Sequence, residues 1–117
     1  MKKIYYLSTC DTCRRIIDLL DFPSDIIFQD IKSESISEAQ LEEMKEMAGS
    51  YEALFSKRAM LYKQRNLKSK TLTEDDYKNL ILEHYTFLKR PVIINENRIF
   101  IGNSTKVVEA AKGSFHE

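Results

Sequence analysis

Apolar positions along the chain switch between a two-residue rhythm and a helical one, and each switch marks an element. Ile4-Tyr5-Tyr6-Leu7 is a short apolar run of β-formers and predicts a strand over residues 3–7. Ile16, Ile17, Leu19 and Leu20 then fall at i, i+1, i+3, i+4, the face of a helix over about 11–21, which Phe22-Pro23-Ser24 breaks. Ile26-Ile27-Phe28 opens a second strand over 26–30. A strand, a helix and a strand in so few residues form a βαβ unit, with parallel strands and a right-handed crossover.

The next stretch is helical. After the polar linker Lys32-Ser33-Glu34-Ser35, Ser37 and Gln40 form a capping box, stapled by Ile36 and Leu41, ahead of a helix through Leu41, Met44, Met47 and Ala48 that Gly49 ends. Ser50 to Phe55 reads as a helical turn with Leu54 and Phe55 inward, and Lys63 to Lys70 as a solvated basic loop. Thr73 and Asp76 repeat the capping box, stapled by Leu72 and Tyr77, with Tyr77, Leu80, Ile81 and His84 as the apolar stripe. Strands over 91–94 and 98–101 make a hairpin around Asn95-Glu96-Asn97. Gly102-Asn103-Ser104 caps a last helix that buries Val107, Val108, Ala110 and Ala111 and stops at Gly113. The order βαβ, helical block, ββα predicts an α/β fold with a thioredoxin-like four-stranded mixed sheet. One domain over 1–117 carries a helical insertion at about 35–86.

Composition narrows the function classes. At 117 residues the chain is long enough for one core without staples, and its 18 basic and 18 acidic side chains cancel. No strong field draws it to nucleic acid or to a membrane surface. Lys2 and Lys3 precede an apolar run too short for a signal-peptide core or a membrane span, so a cytoplasmic protein is expected. With only two cysteines there is no disulfide framework.

Those two cysteines are the candidate chemistry. Cys10 and Cys13 sit where the first strand turns into the first helix, three residues apart and so on one helix face. Cys10 falls at or near the helix N-cap, where unpaired backbone N–H groups and the helix dipole favour a thiolate. Arg14 and Arg15 add positive charge within a turn, and Asp11 and Thr12 tune the pair and expose N–H groups to an incoming anion. A zinc site needs four ligands, and His84 and His116 lack ligand spacing, so no metal is expected.

The residues also carry a family resemblance over essentially the whole chain. Cys10 at the strand-to-helix turn, Leu54-Phe55-Ser56-Lys57-Arg58, Leu88-Lys89-Arg90-Pro91-Val92 and Ile101-Gly102-Asn103-Ser104 occur in the order of the arsenate reductase/Spx family of thioredoxin-fold proteins, which the chain resembles. The resemblance implies that Cys10 is the reactive cysteine and that Arg58 and Arg90 surround an oxyanion. It further implies that Pro91 follows a cis peptide bond opposite the cysteine. Taken on their own the two arginines read as solvated side chains. In two places the sequence departs from the reductases. Ile101-Gly102-Asn103 stands where they carry a further arginine, and Cys13 supplies the pair typical of Spx-type regulators. Both weaken arsenate as the substrate; neither weakens thiol chemistry.

Two functions follow from the resemblance. In the first, Cys10 attacks an oxyanion such as arsenate or a disulfide, Cys13 resolves the adduct, and glutathione, glutaredoxin or thioredoxin is the external reductant. No bound cofactor is needed, and a monomer is expected. In the second, the pair is the sensor of a transcriptional regulator whose partner is RNA polymerase, with no direct contact to nucleic acid. The sequence ends soon after the last helix, where the regulators tend to carry more tail, and this favours the enzyme.

Overall fold

The computed structural model describes Met1–Glu117. The chain forms two compact units, one of residues 1–35 and 90–117, the other of residues 36–89. The first holds β1 (Lys2–Tyr6), α1 (Asp11–Leu20), β2 (Ile27–Asp30), β3 (Val92–Asn95), β4 (Arg98–Ile101) and α5 (Thr105–Phe115). The second holds α2 (Glu38–Ala48), α3 (Met60–Gln64) and α4 (Glu74–Glu83), with 3-10 turns at Glu52–Leu54, Leu67–Ser69 and Tyr85–Phe87. No helix is long and apolar enough to cross a membrane.

The first unit is the four-stranded mixed α/β sheet that the pattern predicts, in the order β2-β1-β3-β4. β1 runs parallel to β2, pairing Lys3 with Ile27 and Tyr6 with Asp30. β3 is antiparallel to both β1 and β4. One face of the sheet packs on the helices through Ile4, Ile16, Leu20, Ile26, Ile93 and Ala111, with Tyr6, Phe22, Phe100 and Phe115 at its margin. The ring of Phe22 meets Phe28 and Phe115 edge-on at 5.9 and 5.3 Å.

In the second unit both capping boxes form. Ser37 Oγ accepts the Gln40 N–H and Gln40 Oε1 the Ser37 N–H, at 3.1 Å each. Thr73 and Asp76 exchange the same pair of bonds. Gly49, at φ 97°, closes α2 as a left-handed cap that most side chains disfavour. Phe55 stacks on Phe87 with centroids 5.4 Å apart and packs on Tyr77. Ser56 N–H donates to Phe87 O at 2.7 Å and Lys89 N–H to Leu54 O at 2.8 Å, so this unit is tied together where it begins and ends its aromatic core.

Several details differ from the pattern. β1 ends at Tyr6, because Leu7 turns its carbonyl to the Cys10 N–H instead of to the sheet. Ile27 and Phe28 stay about half exposed on edge strand β2, whose buried residue is Gln29. α5 does not stop at Gly113 but continues to Phe115, and Ala110 faces outward. The reason is polar: Asn95 Nδ2, buried on β3, donates to Ser114 O at 3.0 Å and to Ser114 Oγ at 3.1 Å, which holds the last turn against the sheet. A mid-helix glycine costs only about 1 kcal/mol, which these bonds offset.

Asn95→Ala is therefore expected to destabilise the protein by about 1–3 kcal/mol, because it strips two buried acceptors of their donor. Ser37→Ala, the loss of an exposed cap, should cost about 1 kcal/mol. Chemical denaturation checks both; an Asn95→Ala midpoint equal to wild type would remove the polar explanation of the α5 terminus.

Candidate active site

The site begins where β1 ends. Ile31 N–H closes the β1–β2 ladder on Tyr6 O at 2.9 Å, and the chain then turns so that Cys10 N–H donates to Leu7 O at 3.0 Å. Cys10 keeps extended backbone angles, φ −96° and ψ 113°, as the N-cap of α1. Its carbonyl accepts the first helical bond, from Arg14 N–H at 3.2 Å. The amides of the first turn therefore have no carbonyl to pair with along the helix.

The two sulfurs face opposite environments. Cys10 is partly exposed and Cys13 fully buried, and both are free thiols. Burial works against ionisation of Cys10, but hydrogen bonding from the Cys13 backbone and thiol and the Thr12 backbone, together with the Arg90 charge, outweighs it and lowers the pKa. Burial pushes Cys13 up to about 11; hydrogen bonding from the Leu7 backbone opposes the rise, the Cys10 thiol and its charge add to it, and Arg90 lowers it least. As a neutral thiol Cys10 makes no side-chain cap bond. A thiolate is the far stronger acceptor, so the helix start rewards ionisation.

The remaining candidates fall as follows. Arg90 is half-buried, and its charge reaches both sulfurs. Pro91 is buried and follows a cis peptide bond, the geometry the resemblance implies, and its carbonyl accepts the Gly102 N–H at 2.9 Å. Thr12 contributes through its backbone. Asp11 does not present a free carboxylate beside the thiol: it takes a hydrogen bond from Arg14, and both side chains are exposed. The positive charge expected from Arg14 is thus largely spent on its neighbour. Arg58 belongs to the second unit, exposed on the segment between Phe55 and α3. His84 accepts the Thr86 N–H, and His116 Nε2 lies 3.1 Å from Leu20 O.

Asp30 was not singled out by its sequence. At the end of β2 its Oδ1 accepts the N–H groups of Ser8 and Lys32 at 3.2 Å each, and its Oδ2 the Ser33 hydroxyl at 3.3 Å. Hydrogen bonding, from the Ser8 side chain above all, holds its carboxyl below the usual carboxylate range. An Asp closing a strand with Ser three residues on is an Asx-turn signal, and that was the available clue.

A model of the ArsC family matches residues 5–111, nearly the whole chain and every part of the site in the first unit. The chain belongs to the ArsC family. Within reach of this ArsC chain are curated relatives of a second kind. It is 28% identical over 102 residues to global transcriptional regulator Spx 2 of Bacillus cereus, covering 85% of this chain and 77% of that one. It is 26% identical to Spx of Bacillus subtilis, covering 87% and 79%. Among solved structures, the arsenate reductase of Vibrio cholerae superposes with a TM-score of 0.75 over 94% of this chain and 93% of that one, at 20% identity, which is a likeness of fold.

In this ArsC chain iodoacetamide should label Cys10 before Cys13 at neutral pH. Because only the thiolate attacks, the labelling rate should rise with pH and reach half its maximum below the ordinary thiol range. Peptide mass mapping checks the order; Cys13 labelled first would reverse the roles.

Proposed function

We propose that this protein is a two-cysteine thiol oxidoreductase in which Cys10 attacks and Cys13 resolves. One observation carries the reading: a partly exposed thiol of lowered pKa stands beside a buried one raised to about 11, within a single helical turn. With a disulfide as substrate, the Cys10 thiolate bonds to one sulfur and expels the other as a thiolate. Cys13 then loses its proton and attacks the Cys10 sulfur. The Cys10–Cys13 disulfide forms, the second substrate sulfur leaves, and the substrate has gained two electrons. With an oxyanion such as arsenate, Cys10 displaces a hydroxyl, lost as water, and Cys13 expels the central atom two electrons reduced. Glutathione, glutaredoxin or thioredoxin, each a thiol donor, would return the pair to the dithiol.

Arg90 supports the attacking thiolate, and Asp11 and Thr12 offer first-turn amides to an incoming anion. Pro91 would line the substrate side. Ile101-Gly102-Asn103 offers no further arginine, which favours a disulfide over arsenate.

A second reading rests on the Spx relatives: the same pair as a redox sensor in a regulator that contacts RNA polymerase. Turnover of arsenate or a disulfide with glutaredoxin, run beside a pull-down on RNA polymerase, separates the two.

Cys10→Ser should abolish turnover and neutral-pH alkylation. Cys13→Ser should leave the attack intact and trap a glutathione mixed disulfide on Cys10, read by intact mass in oxidised glutathione. No adduct on Cys13→Ser would overturn the resolving role. Arg90→Ala should slow Cys10 alkylation at pH 7 by a few-fold, because it removes a positive charge that favours the Cys10 thiolate.

A further inference from the structure

We infer that Asp30 is a positioning residue for the cysteine turn, acting on Cys10 through Ser8. The inference rests on the redox reading, since it concerns how the attacking thiol is held. Its geometry is independent of it. Asp30 ends β2, directly paired with Tyr6 at the end of β1, and Ile31 N–H makes the last bond of that ladder to Tyr6 O. Beyond this point the Asp30 carboxylate reaches across from the β2 side to Ser8. That carboxylate takes the Ser8 N–H, and it is tied on its own side by Lys32 N–H and Ser33 Oγ, so it is a fixed post and not a swinging side chain.

Ser8 is well placed to transmit this. It follows Leu7, whose carbonyl holds the Cys10 N–H and whose backbone acts on the Cys13 thiol. It also precedes the only residue between it and Cys10. Holding Ser8 therefore sets where Cys10 enters the helix, and with it whether the Thr12 and Cys13 amides meet the sulfur. An ion pair does not explain the contact, because the groups bonded to the Asp30 carboxylate are the Ser8 and Lys32 amides and the Ser8 and Ser33 hydroxyls.

The sign of the effect separates positioning from simple charge. Through space, a carboxylate disfavours a nearby thiolate, so its removal alone would lower the Cys10 pKa. Removing a positioning carboxylate does the opposite, because the amide shell loosens. The test is the pH profile of Cys10 alkylation by iodoacetamide in the wild type, Asp30→Ala, Asp30→Asn and Ser8→Ala, with thermal melting of each. Asp30→Ala should shift the profile to higher pH and slow alkylation at pH 7 by about three- to ten-fold. Asp30→Asn keeps an oxygen for both amides and should restore a profile close to wild type. Ser8→Ala, which removes the hydroxyl alone, should shift it in the same direction by less, and it carries the test if Asp30→Ala does not fold.

An Asp30→Ala or Ser8→Ala profile that is unchanged or moves to lower pH overturns the positioning role, whatever happens to the melting temperature. So does an Asp30→Asn profile displaced as far as that of Asp30→Ala. A wild-type Cys10 with an ordinary thiol profile overturns the redox reading and the Asp30 role together. A lowered wild-type profile that the variants leave alone overturns the Asp30 role only.

Discussion

A helix whose first residue is held extended leaves its opening amides without carbonyl partners, and in α1 those amides meet a sulfur. Three other helices of the chain solve the same problem with oxygen: Ser37, Thr73 and Ser104 each accept the amide three residues on. Those caps are satisfied whatever the pH. Cys10 is not, because a neutral thiol is a poor acceptor and makes no cap bond. Ionising it converts an unsatisfied helix start into a satisfied one, and the lowered pKa is the consequence. The same turn of helix puts Cys13 inward, where no such gain exists and burial holds the proton on.

The sheet makes this turn reproducible. β1 lies between β2 and β3, so its end is fixed from both sides. On one side is Asp30 with its grip on Ser8; on the other, the Arg90-Pro91 segment leads into β3 and brings a positive charge to both sulfurs. The hydrophobic face beneath, from Ile4 through Ile16 and Leu20 to Ala111, anchors α1 to the same strands. The lowered Cys10 pKa thus goes with a strand end and a helix start held in register.

Much of this was legible in the sequence, because it is local. Capping boxes need only four residues, and both appear as read; the Cys-x-x-Cys placement follows from where a β-run meets a helical stripe. What was not legible is tertiary. Nothing in Gly113 or Ala110 announces that Asn95, on another strand, holds the helix past the glycine. The apolar run Ile27-Phe28 reads as core, yet it lies on the outermost strand, where one flank has no neighbour. The positive charge beside the thiols looks as though it comes from Arg14, whereas Asp11 takes that side chain and Arg90 acts from across the unit. Arg90 itself, like Arg58, was visible only through the resemblance, since a lone arginine in sequence has no feature that separates a site from a surface.

The asymmetry of the pair is the claim on which the rest depends, and its most direct test is thiolate absorbance near 240 nm followed from acid to alkaline pH in the reduced protein, taken as the difference from Cys10→Ser and from Cys13→Ser so that the six tyrosines cancel. Two well-separated ionisations are expected, the first below the ordinary thiol range and absent in Cys10→Ser, the second near about 11. Both thiols ionising together at the ordinary value would contradict a helix start that selects one sulfur.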